Sequence, residues 1–237
     1  MKHLILLIVS LLAFTSCINE NGWYGEGIDK ENKSTKSEEN QPASKANKDE
    51  TPKEIISFLL KSSVSITNMK GGKILNTGSG AFISSNLVVT NYHVIEGGET
   101  VELIRNSDKK KFFGKIKRYD KFHDVCIIKL TNERVENFLS INQDKAKIGE
   151  EITVVGSPIG LDGTISKGII SNIQKKEPYD YKLLQISAPI SPGSSGGPVV
   201  NIKGELLGIS VGSSQGDGVQ NINFAVPARY ISFLLDE

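Results

Sequence analysis

Short apolar segments alternate with turn residues over most of the chain after about residue 62. In several of them apolar and polar positions alternate with a period of two, and others are short apolar runs bounded by Gly, Asn or Asp. Eleven such segments are SVSITN (63–68), GAFIS (80–84), NLVVTN (86–91), TVELIR (100–105), DVCIIKL (124–130), EITVVG (151–156), GIISNI (168–173), KLLQIS (182–187), GPVVN (197–201), LLGISV (206–211) and NFAVP (223–227). Many short strands separated by turns predict an all-β sandwich or barrel.

A polar stretch at 131–150 divides these strands into two groups of similar size. Two small antiparallel barrels in one chain fit that division, the first over about 62–135 and the second over about 148–228. No internal repeat is visible. The lysine-rich segment at 107–118 is predicted to be a solvated hairpin rather than a nucleic-acid-binding patch.

Before the strands, the period of the apolar residues is helical. TPKEIISFLLKSS (51–63) has Thr51 as a candidate N-cap, Pro52 at the first helical position and Glu54 three residues after the cap. Its apolar residues are spaced for one face of a helix. A short amphipathic helix is therefore predicted here.

The first 17 residues, MKHLILLIVSLLAFTSC, have a basic head, an apolar run and a small-residue end. This pattern is typical of a signal peptide over residues 1–16 and is too short for a membrane span. Cys17 resembles the lipidated first residue of a bacterial lipoprotein. Phe14 stands three positions before it, where such proteins usually have leucine, so ordinary cleavage to a secreted or periplasmic soluble protein is the alternative. Residues 17–50 are polar and predict a disordered tether.

Composition excludes several classes of function. The 237 residues carry a formal net charge of +1, which gives no general attraction to nucleic acid. After the signal peptide there are two histidines, and Cys126 is the only cysteine besides Cys17, so no metal site is predicted. GSGAF lacks the Gly-Lys-Ser/Thr that follows in a phosphate-binding loop, and no cofactor is predicted.

The stretch SPGSSGGPVV (191–200) is the strongest candidate for chemistry. Glycines beside a reactive serine allow a tight turn in which backbone amides face a developing oxyanion, and Gly193 and Ser195 would supply two such donors. The alternative is an ordinary Gly/Ser-rich turn. His93 follows an apolar strand and Asp124 opens another, so each has a residue type and a position suited to a base and its partner.

Six segments together carry a resemblance to a known family. They are GSGAFI (78–83), VVTNYHVI (88–95), HDVCIIKL (123–130), VVGSPIGLDGTISKGIIS (154–171), ISPGSSGGPVVNIKGELLGIS (190–210) and NINFAVPA (221–228). On these residues the chain resembles the trypsin-like serine proteases with a chymotrypsin fold, and it is most similar to the HtrA/Deg group. The resemblance implies two six-stranded antiparallel β-barrels forming a protease domain over 51–237.

The resemblance also implies roles. Ser195 is the nucleophile, His93 the general base, and Asp124 the carboxylate that orients His93, while the amides of Gly193 and Ser195 form the oxyanion hole. His123, next to Asp124, is expected to point the other way and has no catalytic role.

Two features depart from the family. Ser194 stands where these enzymes often have Asn and where pancreatic-type enzymes have an Asp that pairs with a newly cut N-terminus. The sequence stops at Glu237, which leaves no room for the PDZ domain common in HtrA proteins.

Specificity follows from the pocket positions. Pro189 stands six residues before Ser195, where Arg- or Lys-specific enzymes carry Asp. Ile190 and the GIS segment of Gly208, Ile209 and Ser210 are expected to form the pocket wall and the strand that pairs with substrate. A small, apolar P1 residue such as Val, Ala, Leu or Ile is predicted.

The sequence therefore predicts a serine endopeptidase of the cell envelope, held at the membrane by a lipid anchor and acting on polypeptides such as unfolded or damaged proteins. A homotrimer is implied by the resemblance. The alternatives are a protease fold that binds or chaperones peptides without turnover, and a toxin-like protease with one host target.

Overall fold

The computed structural model describes residues 53–142, 144–157, 163–176, 181–213 and 222–236. The predicted signal peptide (1–16), the tether (17–50), Cys17 and the capping residues Thr51 and Pro52 lie outside the described residues. Within the described part, no helix has the length and apolar character needed to cross a membrane.

Barrel one follows helix α1 (Lys53–Lys61) and closes six antiparallel strands in the order β1-β2-β3-β6-β5-β4. The strands are β1 (Ser63–Lys70), β2 (Lys73–Phe82), β3 (Leu87–Thr90), β4 (Thr100–Arg105), β5 (Lys111–Asp120) and β6 (Val125–Leu130). A single helical turn, α2 (Tyr92–Ile95), connects β3 to β4.

Barrel two closes six more antiparallel strands in the order β10-β11-β12-β9-β8-β7. The strands are β7 (Glu151–Gly156), β8 (Thr164–Lys176), β9 (Tyr181–Ile186), β10 (Pro198–Asn201), β11 (Leu206–Ser213) and β12 (Asn223–Pro227), and helix α3 (Ala228–Asp236) follows β12. The segment between the barrels adds a parallel bridge from Ile141 to Leu206. It thereby attaches to barrel two before β7 begins.

Strand β6 is buried on both faces, and this accounts for its unbroken apolar sequence. Cys126 and Ile128 point into the core of barrel one, whereas Val125 and Ile127 belong to a second cluster that also contains residues of barrel two such as Val155. Successive side chains of a strand point to opposite faces, so a strand buried on both faces needs apolar residues at every position. The apolar run thus places β6 between the barrel core and the contact between barrels.

The predicted fold class, two six-stranded antiparallel β-barrels with a short helix before them, is confirmed. All eleven predicted strands are present, and β5 is the twelfth, which the pattern did not predict as a strand. Only Phe112 and Gly114 of β5 are buried, so its sequence resembles a solvated hairpin.

Helix α3 was also not predicted. Its residues Tyr230, Ile231 and Leu234 are buried in the cluster shared by the two barrels. Arg118 on β5 donates a hydrogen bond to Leu234 O at 3.2 Å, so the helix contacts barrel one as well as the barrel it follows.

Candidate active site

His93 lies on the one-turn helix α2, which is fixed to barrel one by its buried neighbours Val94 and Ile95. The helix is preceded by Asn91, whose Nδ2 donates to Asp124 O at 2.9 Å. The histidine side chain is about half exposed, so the ring is presented at the surface from a rigid base.

Asp124 holds both the backbone and the ring of His93. Its Oδ1 accepts from His93 N at 2.9 Å, and its Oδ2 lies 2.8 Å from His93 Nδ1. The residue has φ +56°, a left-handed conformation that Asp tolerates better than most side chains. An ionised carboxylate only accepts hydrogen bonds, so the proton of this pair lies on Nδ1 and Nε2 is left as an acceptor facing away.

Ser195 is the second residue of the latter of two consecutive β-turns, 191–194 and 194–197, which share Ser194. Ser194 N donates to Ser191 O at 2.9 Å, and Gly197 N donates to Ser194 O at 2.9 Å. The third residue of each turn is a glycine with positive φ, +96° at Gly193 and +86° at Gly196. This is the type II pattern, which requires glycine at that position.

Gly196 brings the serine turn against the strand that leads to His93. A Cβ on Gly196 would lie 2.2 Å from both Ser79 O and Thr90 Oγ1, so only glycine allows this approach. Ser79 N also donates to Ser195 O at 2.8 Å. The serine turn and the His93 helix are thus packed on the same end of β2 and β3.

The hydroxyl of Ser195 is turned toward Val211 O, at 3.4 Å. No hydrogen bond joins the Ser195 hydroxyl to His93, both of which the structure describes. Hydrogen bonds of catalytic groups are often long or misaligned before substrate binds.

Two amides are available beside this hydroxyl. Within the described residues, neither Gly193 N nor Ser195 N donates to a protein acceptor. Both belong to the turns with positive φ, and the two donors are separated by a single residue in the chain. The arrangement can therefore bind an anionic oxygen without breaking an internal hydrogen bond.

The predicted pocket residues are more deeply placed than the sequence suggested. Gly208 and Ile209 are buried and paired on both sides, with β10 and with β12, so neither can pair with a substrate strand. Ser210 is also fully buried. Ile190 is half-buried and packs on the core of barrel two.

The accessible part of β11 begins one residue later. The register between β11 and β12 shifts between Ser210 and Gly212, which places Val211 at a bulge with its carbonyl toward Ser195. Among the residues that the structure describes, none comes within 4 Å of a Cβ built on Gly212, so none of them covers this position. Sequence reasoning missed Val211 and Gly212, because only the register shows where the strand leaves its partner.

His123 makes contacts that are separate from the His93–Asp124 pair. Its Nδ1 bonds to Asp120 Oδ2, and its ring stacks on Tyr230. Burial by itself would raise the pKa of Asp120, but the hydrogen bonds from His123 and from the amide of Phe122 outweigh it, so the pKa is lowered.

Cys126, the buried cysteine of β6, is the other nucleophilic side chain near Asp124. Burial, and secondly the negative charge of Asp124, raise the pKa of this thiol to about 12. It therefore stays protonated at neutral pH and is not a competing nucleophile. Within the described residues, no group of three or more His, Cys, Asp or Glu side chains is arranged to hold a metal ion.

Comparison with known proteins finds both related sequences and related structures. A family model described as a trypsin-like peptidase domain matches residues 78–209, which is more than half of the chain. The chain is 34% identical over 164 residues to "Serine protease HtrA-like" of Staphylococcus aureus (strain MRSA252), a match that covers 63% of this chain and 21% of that protein.

A second curated relative, "Probable periplasmic serine endoprotease DegP-like" of Marinomonas sp. (strain MWYL1), is 31% identical over 170 residues, or 70% of this chain and 36% of that protein. The chain thus spans only about a fifth to a third of the length of these relatives. Among solved structures, the serine endoprotease from Yersinia pestis superposes with a TM-score of 0.65 and 27% identity, covering 79% of this chain and 67% of that chain.

Proposed function

Because the chain belongs to the trypsin-like peptidase family, we propose that it is a serine endopeptidase of the HtrA type. The observation that carries the proposal is the pair of hydrogen bonds that the Asp124 carboxylate accepts from His93, on an end of barrel one against which the Ser195 turn is packed. A buried or randomly oriented histidine would not need both its amide and its ring to be held by one carboxylate.

The proposed reaction is acyl transfer through an enzyme ester. Ser195 Oγ forms a bond to the scissile carbonyl carbon while His93 Nε2 takes its proton, and the carbonyl oxygen becomes an oxyanion that the amides of Gly193 and Ser195 bind. The carbon–nitrogen bond then breaks as His93 gives the proton to the leaving amine. Water repeats the sequence on the ester and releases the acid. Asp124 keeps the ring oriented and stabilises its charged form.

We propose that the substrate lies along the exposed end of β11. None of the described residues covers Gly212 and the carbonyl of Val211 is directed at Ser195, so an extended peptide can add to this edge by backbone hydrogen bonds. Pro189 and Ile190 offer no charge to a P1 side chain, which supports a preference for small, apolar P1 residues.

The setting is part of the same proposal. The periplasmic assignment in the name of the Marinomonas relative supports export, and the apolar N-terminal run with Cys17 supports a lipid anchor followed by a polar tether. Unfolded or damaged envelope proteins are the proposed substrates. The protein is also proposed to assemble as a homotrimer, which sedimentation equilibrium would measure. The mass of the N-terminal peptide would show whether Cys17 is acylated.

The second candidate function is peptide binding without turnover. The observation that favours it is the direction of the Ser195 hydroxyl, which points to Val211 O rather than to His93. A binder would hold extended chains on β11 and leave them intact.

Digestion of unfolded β-casein, with mass-spectrometric mapping of the new termini, distinguishes an endopeptidase from a peptide binder. The endopeptidase yields internal cuts that follow a consistent P1 class and disappear in Ser195→Ala. Intact casein in the presence of the folded wild-type protein would contradict the proposed activity and support the binder. Cuts at many sites would also argue against a protease with one target.

A further inference from the structure

The buried hydroxyl of Ser210 is bonded to the turn that carries the nucleophile. Its Oγ lies 2.6 Å from Ser194 O and 3.3 Å from Gly197 O, and the side chain has no exposed area. Ser194 O also accepts from Gly197 N at 2.9 Å. A hydroxyl has one proton to donate, and the shorter contact assigns it to Ser194 O.

This contact fixes the direction of a second group. The peptide between Ser194 and Ser195 is planar and trans, so its N–H points opposite to its carbonyl. Because Ser210 Oγ and Gly197 N hold the carbonyl on the interior side, the amide of Ser195 is directed to the other side, where it has no protein acceptor among the described residues.

Ser79 makes the corresponding contact from barrel one. Its Oγ donates to Gly193 O at 2.8 Å and accepts from Ser157 N at 2.9 Å, while its own amide donates to Ser195 O at 2.8 Å. The side chain is 1% exposed. With Ser194 N bonded to Ser191 O, the peptide after Gly193 is held at both its carbonyl and its amide. The amide of Gly193 itself belongs to the preceding peptide, so Ser79 restrains it through the Cα atom that the two peptides share.

We propose that Ser79 and Ser210 form a hydroxyl clamp, one from β2 and one from β11, that positions the amides of Gly193 and Ser195 as oxyanion donors. The proposal rests on the proposed serine endopeptidase function. Ser79 and Ser210 are positioning residues, since each acts on the reacting atoms only through the carbonyls that it holds.

Position 194 shows why this chain needs such a device. Ser194 is buried, and its Oγ accepts only a long bond of 3.4 Å from Ser191 N. An uncharged side chain at this place cannot order the turn by pairing with a cationic N-terminus. Two hydroxyls that act on the carbonyls of the same turn supply the order from the fold itself, with no cleavage of the chain.

The test compares Ser210→Ala and Ser79→Ala with Ser65→Ala. Ser65 is a matched control, because it pairs with Ser79 across β1 and β2, but its Oγ bonds to a strand carbonyl, Ile104 O, rather than to the serine turn. The measurements are kcat and KM on a peptide from the casein map, the inhibition constant of a peptide aldehyde of the same sequence, and the rate of labelling by a fluorophosphonate. A peptide aldehyde forms a hemiacetal whose oxygen occupies the oxyanion position.

We expect kcat and aldehyde affinity to fall together, by about 10- to 100-fold, with KM within about twofold of wild type. Full removal of an oxyanion donor costs roughly 10²–10³, and a loosened donor should cost less. Ser210→Thr keeps the hydroxyl and should recover most of the loss. Ser65→Ala should match wild type in all three measurements.

Thermal melts identify variants that do not fold, and this matters most for Ser79→Ala, which leaves Ser157 N without its acceptor. If that variant is unfolded, Ser210→Ala and Ser210→Thr decide the outcome. A folded Ser210→Ala with wild-type kcat and aldehyde affinity would overturn the clamp, as would a change confined to KM. If the wild-type protein neither reacts with the fluorophosphonate nor cleaves the peptide, the proposed function is wrong, and the clamp is wrong with it. If the wild-type protein does both, the variants test the clamp alone.

Discussion

The imidazole ring of His123 stacks on the phenol ring of Tyr230, with centroids 3.9 Å apart and planes inclined by 19°. His123 belongs to the turn that ends in Asp124, whereas Tyr230 belongs to α3 after barrel two. Tyr230 OH also accepts from Lys182 N on β9 at 2.9 Å. The stack therefore joins barrel two to the turn that presents the carboxylate of the proposed triad.

Replacing Tyr230 by alanine should weaken both the fold and the site. The ring is 5% exposed and buried among residues of both barrels, so its removal should cost about 3 kcal/mol of unfolding free energy. The kcat of the variant should fall by more than its unfolded fraction would cause, because the turn before Asp124 loses the ring that packs against it. Urea unfolding and kcat measure the two effects. Ile148→Ala, at a residue before β7 that is 63% exposed, is the control and should change neither.

Asp120 should make stability depend on pH below about 4. Hydrogen bonds from His123 and Phe122 outweigh burial and lower its pKa when the protein is folded. Its unfolded form therefore binds a proton more readily, so the stabilisation is complete above the ordinary carboxyl pKa and is lost as the pH falls below it.

Asp120→Asn tests this. The variant should melt below wild type at pH 7, and the difference should shrink as the pH is lowered to 3. Asp144→Asn, at an exposed aspartate, should show little difference at either pH. A gap between wild type and Asp120→Asn that is the same at pH 7 and pH 3 would mean that the carboxylate charge contributes nothing.

Asp124→Asn should fold normally and lose nearly all activity. Asparagine tolerates the positive φ of this position, and its side-chain oxygen can still accept from His93 N. It no longer selects the proton on Nδ1 or stabilises a charged ring, so kcat should fall by about 10⁴.

Asp108→Asn is the comparison for that experiment, since it removes a carboxylate paired with Arg105 elsewhere on barrel one. It should retain wild-type kcat. Near-normal kcat in Asp124→Asn would show that another group orients the base.

Gly196→Ala should be far more damaging than Gly71→Ala. Both glycines have positive φ, +86° and +54°, so both substitutions strain the backbone by about 1–2 kcal/mol. Only at Gly196 would the new Cβ also collide with Ser79 O and Thr90 Oγ1, at 2.2 Å, whereas Gly71 has nothing within 4 Å.

The added clash should bring the cost at Gly196 to about 3 kcal/mol or more, with loss of cleavage. Chemical denaturation and casein digestion of both variants measure this. Equal stability of the two would mean that the serine turn does not need its close contact with β2 and β3.

The barrels could be predicted from the sequence because their strands are buried on one or both faces. Runs such as that of β6 are apolar at nearly every position and are bounded by turn residues. Strand β5 escaped prediction for the opposite reason: most of its side chains face solvent. Helix α3 has buried residues at helical spacing, and Pro227 marks its start, but its short apolar run ISFLL at 231–235 does not by its period distinguish a helix from a strand.

Only part of the candidate site could be predicted from the sequence. Glycine spacing and residue type pointed to Gly193, Ser195, His93 and Asp124. The residues that depend on strand register did not emerge, because a bulge at Val211 moves the open end of β11 beyond the GIS segment. Ser79 appeared in the sequence only as part of the GSGAFI segment, and only the packing of β2 on the serine turn reveals its contacts.

The most direct test of the account is the site of reaction with a fluorophosphonate. Intact mass followed by peptide mapping of the labelled wild-type protein should give one adduct, on Ser195. Ser195→Ala should take up no label, and His93→Ala should react far more slowly while remaining folded. Label on another residue, or no label on folded wild-type protein, would contradict the claim that Ser195 is a nucleophile activated by His93 and Asp124.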